Sequence, residues 1–411
     1  MNLAYRFDIP LNERLCSLCK VSNNLYNQAM YEFRQVLDRE KRWLSYGDLD
    51  RMMKEKENLD GGINYRLLKA QCAQQTLKIL EKDIKSFYRS IQAWKAHPER
   101  FKGKPELPNY KKRGGMFELR YPNQSIRIRN GKLILAKDLM IDIPQWEKYG
   151  EQLTSGFQQV RIKPGIKSIK VEIVYKRKDV EPIDNDRYAS IDLGLDNLVT
   201  MVCGKGAFIY SGRFLKSYNN HFNKRLAKLQ SIKDKQGIGY ATKRMKNMYE
   251  KRERYIEDAF HKISRSIVNF LTSNQIGNLV VGYNKGWKQN INIGSSNNQK
   301  FVQTPFARLR SYLKYKCKMS GIRFICNEES YTSKCDALAF EQIGRHESYL
   351  GKRIKRGLFR SSVGKLINAD VNGAVNILRK VVGDSEIASR IIGSGLLLSP
   401  VRCSNPFVRD A

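Results

Sequence analysis

The chain has 411 residues, 75 Lys and Arg against 40 Asp and Glu, a formal net charge of +35 and 41% hydrophobic residues. That length implies two to four domains with cores of their own and argues against a short structural RNA-binder, while the basic excess implies a polyanionic partner. No apolar run is long enough to cross a bilayer, and MNLAYRFDIPLNERL carries charges where a signal peptide needs an apolar stretch, so a cytoplasmic protein without membrane contact is expected.

The eight Cys (Cys16, Cys19, Cys72, Cys203, Cys317, Cys326, Cys335 and Cys403) are scattered through helix-like and strand-like segments. Reduced thiols are expected, with the lone CxxC, Cys16 to Cys19, on a helix face.

After a strand over residues 3–9, apolar residues recur every three or four positions from 12 to 37 and from 65 to 94, a helical pattern. From about Lys102 the chain turns to Pro, Gly and short alternating runs, with Asn130-Gly131 as a hairpin turn and 168–178 as a half-buried strand. Residues 1–11 and 102–183 therefore read as a small β-barrel, with 12–101 as a helical insertion. Lys111, Lys112 and Arg113, beside Tyr110 and followed by Phe117 and Tyr121, combine charge with stacking surface, as RNA and single-strand binders do. Gln74, Gln75, Asn123 and Gln124 are amides able to bond adenine edges in a major groove.

A second domain starts near Asp184. Asp192 stands in the apolar run YASIDLGLDNLVTMV, two residues before a Gly that permits a tight turn. A charged helical pair follows over 214–271, broken near Gly237 and Gly239. Next come a strand (NLVVGYN), a basic loop with Trp287, Lys288 and Gln289, a helix expected to start with Thr304 as N-cap and Pro305 at its first position, and a strand (IRFICN) leading into Glu328 and Glu329. Asp370 opens a last short helix in LINADVNGAVNILRK. Asp196 reads as a turn residue, and 381–411 as a tail without assignable chemistry.

This order of elements is that of a ribonuclease H-like α/β domain, so the fold class is α/β multidomain: that domain, a barrel and a helical insertion. A strand Asp and a helix-start Asp on one such sheet suit two divalent cations of the Mg²⁺ kind, whose preferred donors are oxygens. Asp370 as a simple helix cap is the plain alternative.

At these residues the chain resembles the TnpB/OrfB family of insertion-sequence proteins, compact relatives of type V CRISPR effectors. The resemblance runs over nearly the whole chain and is most specific in IDLGLDNL, ESYTSKC (Glu329 to Cys335) and NADVNGAVNILRK. It implies an RNA-guided DNA endonuclease with a RuvC-like nuclease domain over 184–332 and 366–380. The barrel becomes a wedge barrel whose helical insertion helps to hold a transposon-derived guide RNA and read a motif flanking the double-stranded DNA target. Gln74, Gln75, Asn123 and Gln124 resemble the motif readers by position.

Carried over residue by residue, Asp192 is the first catalytic, Mg²⁺-binding carboxylate and Asp370 the third. The family's second is a Glu at the end of the strand where this chain has Gly282. Glu329, on an element expected to neighbour that of Asp192, is the relocated candidate, with Glu328 or no third carboxylate as alternatives. Residues 333–365 match a zinc-binding lobe but keep only Cys335 and His346 as donors, so no zinc is expected. Packing of Leu338, Phe340, Tyr349, Leu350 and Phe359 is expected to hold that lobe. Lys352, Arg353, Lys355 and Arg356 suit phosphate backbone. Two rival readings are a nuclease-dead RNA-guided DNA-binding protein and a guide-independent structure-specific nuclease.

Overall fold

The structure, a computed structural model, describes residues 1–284, 286, 294–404 and 406–407. Trp287, Lys288 and Gln289 lie outside the described residues. The chain divides into two compact units, Met1–Lys178 and Asp179–Ala411.

In the first unit β1 (Asn2–Pro10) runs into α1 (Glu13–Glu40), which starts where the Asn12 side chain accepts from the Leu15 N–H at 3.0 Å. Then come α2 (Tyr46–Met53), begun by a Ser45–Asp48 capping box, and α3 (Ala70–Ala96). The strands β2 (Leu119–Pro122), β3 (Arg127–Arg129), β4 (Lys132–Ala136) and β5 (Leu139–Asp142) precede α4 (Trp146–Ser155), β6 (Phe157–Pro164) and β7 (Ser168–Lys176). The expected barrel strands form two sheets, β1-β7-β6-β2 and β3-β4-β5. The turn between β3 and β4 puts Asn130 and Gly131 at φ 47° and 74°, the hairpin geometry their sequence announces. Helices and strands share one core that includes Tyr26, Phe33, Leu77, Ile162 and Val171.

The second unit opens with an antiparallel meander, β8 (Tyr188–Asp192), β9 (Asn197–Cys203) and β10 (Gly206–Ser211). It continues through α5 (Arg213–Lys235), α6 (Lys243–Ser273), β11 (Asn278–Gly282), α7 (Ser295–Gln303), α8 (Phe306–Met319) and β12 (Arg323–Asn327). A small antiparallel sheet, β13 (Lys352–Lys355), β14 (Leu358–Arg360) and β15 (Leu366–Asn368), leads into α9 (Ala369–Val382), α10 (Asp384–Ile387) and β16 (Val401–Cys403).

The main sheet has the order β12-β11-β8-β9-β10-β16, with β11 parallel to both β8 and β12. Its two faces follow from the period-two alternation of strand side chains. Ala189, Ile191, Leu279 and Val281 pack with Phe260, Leu309 and Leu313 of α6 and α8, whereas Val280 packs with Val375 and Ile377 of α9. Ser190, on the α9 face, donates to the Ala374 carbonyl at 2.6 Å and ties the helix to β8.

Two expectations need correction. Thr304 does not cap α8; its hydroxyl donates to the Lys300 carbonyl at 3.0 Å, and Pro305 is the N-cap, without a side-chain bond. The tail is part of the fold, since β16 pairs in parallel with β10 at the sheet edge. Among the described residues no helix is long and apolar enough to cross a membrane.

Candidate carboxylate site

β8 ends at Asp192, and the chain then turns at once into β9. Gly194 makes that turn possible by contact and not by an unusual φ: a Cβ there would lie 2.7 Å from the Asn197 carbonyl oxygen. The Asp192 carboxylate faces α9, and a Cβ on Gly373 of that helix would approach its Oδ2 to 3.0 Å. The helix therefore comes this close to the carboxylate because residue 373 has no side chain.

Asp370 sits in the first turn of α9 but does not cap it. Asn368 is the N-cap, its Oδ1 accepting from the Asp370 and Val371 N–H groups at 2.9 and 3.3 Å. The Asp370 carboxylate is thereby free to face the sheet. Its Oδ2 accepts from Asn197 Nδ2 at 2.7 Å, and Arg353 Nη2 stands 3.9 Å from Oδ1.

The strand that leads to Glu329 does not neighbour β8, contrary to expectation; β11 lies between β8 and β12. Glu329 reaches across because Gly282 leaves the intervening position empty. A Cβ at 282 would fall 2.4 Å from Glu329 Oε2 and 2.5 Å from Ile377 Cδ1. The Glu329 carboxylate thus occupies the space that a side chain on Gly282 would enter. Asn284 holds it in a reciprocal pair, its Oδ1 accepting from the Glu329 N–H at 3.2 Å and its Nδ2 donating to Oε1 at 3.4 Å.

Glu328 turns the other way. Its side chain is 59% exposed and is bonded by the Ser330 hydroxyl and N–H and by Lys380 Nζ, the last at 3.1 Å. Lys380 also donates to the carbonyls of Glu328 and Ser330, at 3.1 and 2.9 Å, and so anchors the backbone on both sides of Glu329.

The electrostatics follow from this crowding. Burial, then the charges of Asp370 and Glu329, raise the Asp192 carboxyl well above the usual carboxylate range, opposed by the Leu193 N–H and by Arg353. Burial, with Glu328 adding, pushes Glu329 up to about 7 against the pull of Lys380 and Arg310. Glu329 Oε2 is buried with no hydrogen-bond partner, as is the hydroxyl of Thr200, the residue opposite Asp192 on β9.

A hard divalent cation would relieve both the repulsion and the unmet oxygen, so the donor set fits one. Among the described residues no three His, Cys, Asp or Glu side chains form a ready-made cluster around a single ion.

Asp196 is a turn residue with a further task. Burial would raise its carboxyl, but the hydrogen bond and charge of Lys216, with Arg356 at 2.5 Å, hold it below the ordinary value. Arg353 and Arg356 thus bring the exposed β13–β14 hairpin against the acids, while Lys352 and Lys355 on the same hairpin face solvent.

Two family models match the chain, OrfB_IS605 ("Probable transposase") over residues 168–288 and the Cas12f1-like TNB domain over 306–377. Asp192 lies in the first, Glu329 and Asp370 in the second. TnpB-like protein ORF457 of Acidianus two-tailed virus is 24% identical over 305 residues, covering 66% of this chain and 63% of that protein. InsQ of Escherichia coli (strain K12), provisionally named an RNA-guided DNA endonuclease, is 22% identical over 408 residues and 91% of each chain. These matches support a TnpB/IS605 family relationship. The protein chain of a cryo-EM Cas12f1–sgRNA–target DNA complex shares its mixed α/β fold, at TM-score 0.53 and 15% identity over 91% of this chain and 82% of that one.

The lobe over 333–365 is held by buried polar bonds as well as by part of the expected apolar packing. Leu338 and Phe359 are buried, but Leu350 is 59% exposed. Asp336 is wholly buried and accepts from the Ser361 hydroxyl (2.8 Å), the Ser362 N–H (2.7 Å) and hydroxyl (3.1 Å), and the Leu338 and Ala339 N–H groups. Glu341 accepts from the Asp336 and Leu350 N–H groups at 2.6 and 2.9 Å. Asn372 and Asn376 of α9 both donate to the Cys335 carbonyl. Cys335 and His346 are engaged with the carbonyls of Gly344 and Gln342.

The nucleic-acid candidates of the first unit are mixed. Lys112, Arg113, Asn123 and Gln124 are exposed. Lys111 is turned inward, its ammonium 4.3 Å from the Tyr26 ring centroid, 5.0 Å from that of Phe117 and 3.8 Å from Asp83. Gln74 and Gln75 are half-buried, and Gln74 hydrogen-bonds Tyr65.

The residues missed from sequence are Asn197, Asn284, Asn368 and Lys380, which orient the carboxylates or their backbone. Asn368, Asn372 and Asn376 recur every four positions, a one-face helical spacing that was available as a signal.

Proposed function

We propose that the chain is an RNA-guided DNA endonuclease whose RuvC-like, ribonuclease H-type domain hydrolyses phosphodiesters at Asp192, Glu329 and Asp370. The observation that carries this reading is the Glu329 carboxylate, buried beside Asp192 in the space left by Gly282, with Oε2 unpartnered. The strand order of the main sheet, the net charge of +35 and the name of InsQ add support.

Mg²⁺ bound by the three carboxylates would polarise the scissile phosphate and lower the pKa of the attacking water. Asn197 and Asn284 fix the carboxylates of Asp370 and Glu329, and Arg353 offers a guanidinium to the phosphate of the incoming strand. Lys352, Lys355 and Arg356 extend that basic edge. In the first unit, read as a wedge barrel with a helical recognition insertion, the exposed Lys112, Arg113, Asn123 and Gln124 are the better candidates for guide and flanking-motif contact. Lys111, Gln74 and Gln75 are secondary, since each is partly committed within the fold. Target choice comes from pairing with the guide.

The test is cleavage of a plasmid library with randomised sequence beside a guide-matched target, by protein copurified with its RNA, in Mg²⁺ and in EDTA. Mg²⁺-dependent cutting beside one motif is expected. Guide-dependent retention of the matched plasmid without cutting would instead make the protein a nuclease-dead binder, and cutting that ignores the guide would make it a structure-specific nuclease.

A further inference from the structure

α6 and α8 cover the face of the main sheet opposite α9, and a groove of about 680 Å³ runs along them. Its floor is Lys316, only 3% exposed. The Lys316 ammonium donates to the His261 carbonyl at 2.6 Å and to Ser264 Oγ at 2.7 Å, both neutral acceptors. An ammonium has three donors, and among the described residues no carboxylate faces this one. Burial, then the neighbouring cation Arg265, lower its pKa to about 8. Exposed Arg265, Ser266 and Asn269 of α6 and half-buried Tyr315 of α8 form the walls, and Lys262 at the rim is paired with Asp258 at 2.9 Å.

The position of Lys316 in the last turn of α8 accounts for a cation near that helix's final carbonyls. It does not account for a second cation, Arg265, beside a buried one with no acid among the lining residues. An anion would balance this pair of cations.

We propose that the groove between α6 and α8 seats a backbone phosphate of a nucleic-acid strand, with Lys316 as the floor and Arg265 as the exposed clamp. A phosphodiester supplies the missing charge and accepts from Lys316, Arg265 and Asn269 without regard to base, while the Ser266 hydroxyl is shared with Tyr210 and the Tyr315 hydroxyl with His261 Nδ1. The proposal rests on the reading of this chain as a nucleic-acid binder, not on its cutting DNA.

The test uses the full chain with fluorescein-labelled single-stranded RNA, and the guide-loaded complex with guide-matched duplex DNA, each titrated across a range of KCl. Lys316→Met and Arg265→Gln are each expected to weaken the strand that occupies the groove roughly tenfold. Each should also reduce the salt slope of that strand by about 0.7 to 0.9. A response in the RNA arm alone assigns the groove to the guide, and in the DNA arm alone to the target. A melting curve checks that Lys316→Met folds; if it does not, the exposed Arg265→Gln carries the test. Unchanged affinity and slope in both arms would overturn the groove proposal alone. Failure of the wild-type chain to hold either nucleic acid would overturn both it and the reading beneath it.

Discussion

The carboxylates at the end of the main sheet and those in the 333–365 lobe are buried within one unit, yet the fold treats them oppositely. Asp336 accepts five hydrogen bonds and Glu341 two, so each negative charge is matched by donors. Glu329 Oε2 accepts none, and the Asp192 carboxyl is raised by burial and then further by its own neighbours Asp370 and Glu329. Burial alone therefore does not mark a site. An unmet oxygen beside a like charge does, because folding by itself gains nothing from such an arrangement.

The comparison breaks most visibly at Asp192. Asp192→Asn should reduce cleavage by at least about 10³-fold while leaving the melting temperature unchanged or higher, since it removes a repelled charge. Plasmid cutting and a thermal melt on one preparation measure both, and a variant that cuts normally would contradict the account.

Asp336→Ala should do the reverse. It strands the buried Ser361 hydroxyl and Leu338 N–H, so a loss of roughly 3 kcal/mol in urea unfolding is expected. Added Zn²⁺ should not restore it.

Gly282→Glu sharpens the steric side of the comparison. In the wild-type background it should depress cleavage, because the new side chain meets Glu329 and Ile377. Combined with Glu329→Gly and Ile377→Ala it should recover part of the activity, as a carboxylate entering the same space from β11. Equal activity of the single and the triple variant would argue against a shared space.

The smallest effect is on stability against pH in EDTA. Glu329 titrates near 7 in the fold against an ordinary 4.5, so the native state holds its proton more tightly. Stability is full below about pH 4.5, falls as pH rises through 7 and then levels, by on the order of 2 kcal/mol from this residue. Glu329→Gln should flatten that part of the curve, and Mg²⁺ should offset the loss at pH 8.

Much of this was legible in the sequence, and the remainder had physical reasons for being hidden. Asp192 showed itself because a carboxylate inside SIDLGL is costly to bury without purpose. Asp370 was obscured by its favourable cap position until Asn368 proved to do the capping. Helix and strand periodicity gave α1, α3, α6 and the main-sheet strands, but not α2 or α4, which span only 8 and 10 residues. It also missed β16, whose three residues make a strand only by pairing with β10. The reach of Glu329 across β11 depends on the absence of a side chain at 282, which no spacing along the chain encodes. The polar half of the lobe was hidden because Asp336 and Glu341 look like surface charges until their donors arrive from Ser361, Ser362 and Leu350.

The most direct test of the central claim is guide-dependent cleavage in Mg²⁺ by Glu329→Gln and Glu328→Gln side by side, with target binding measured on the same complexes. The account predicts that Glu329→Gln binds the matched target and does not cut it, while Glu328→Gln cuts within a few-fold of wild type. Normal cutting by Glu329→Gln would contradict it.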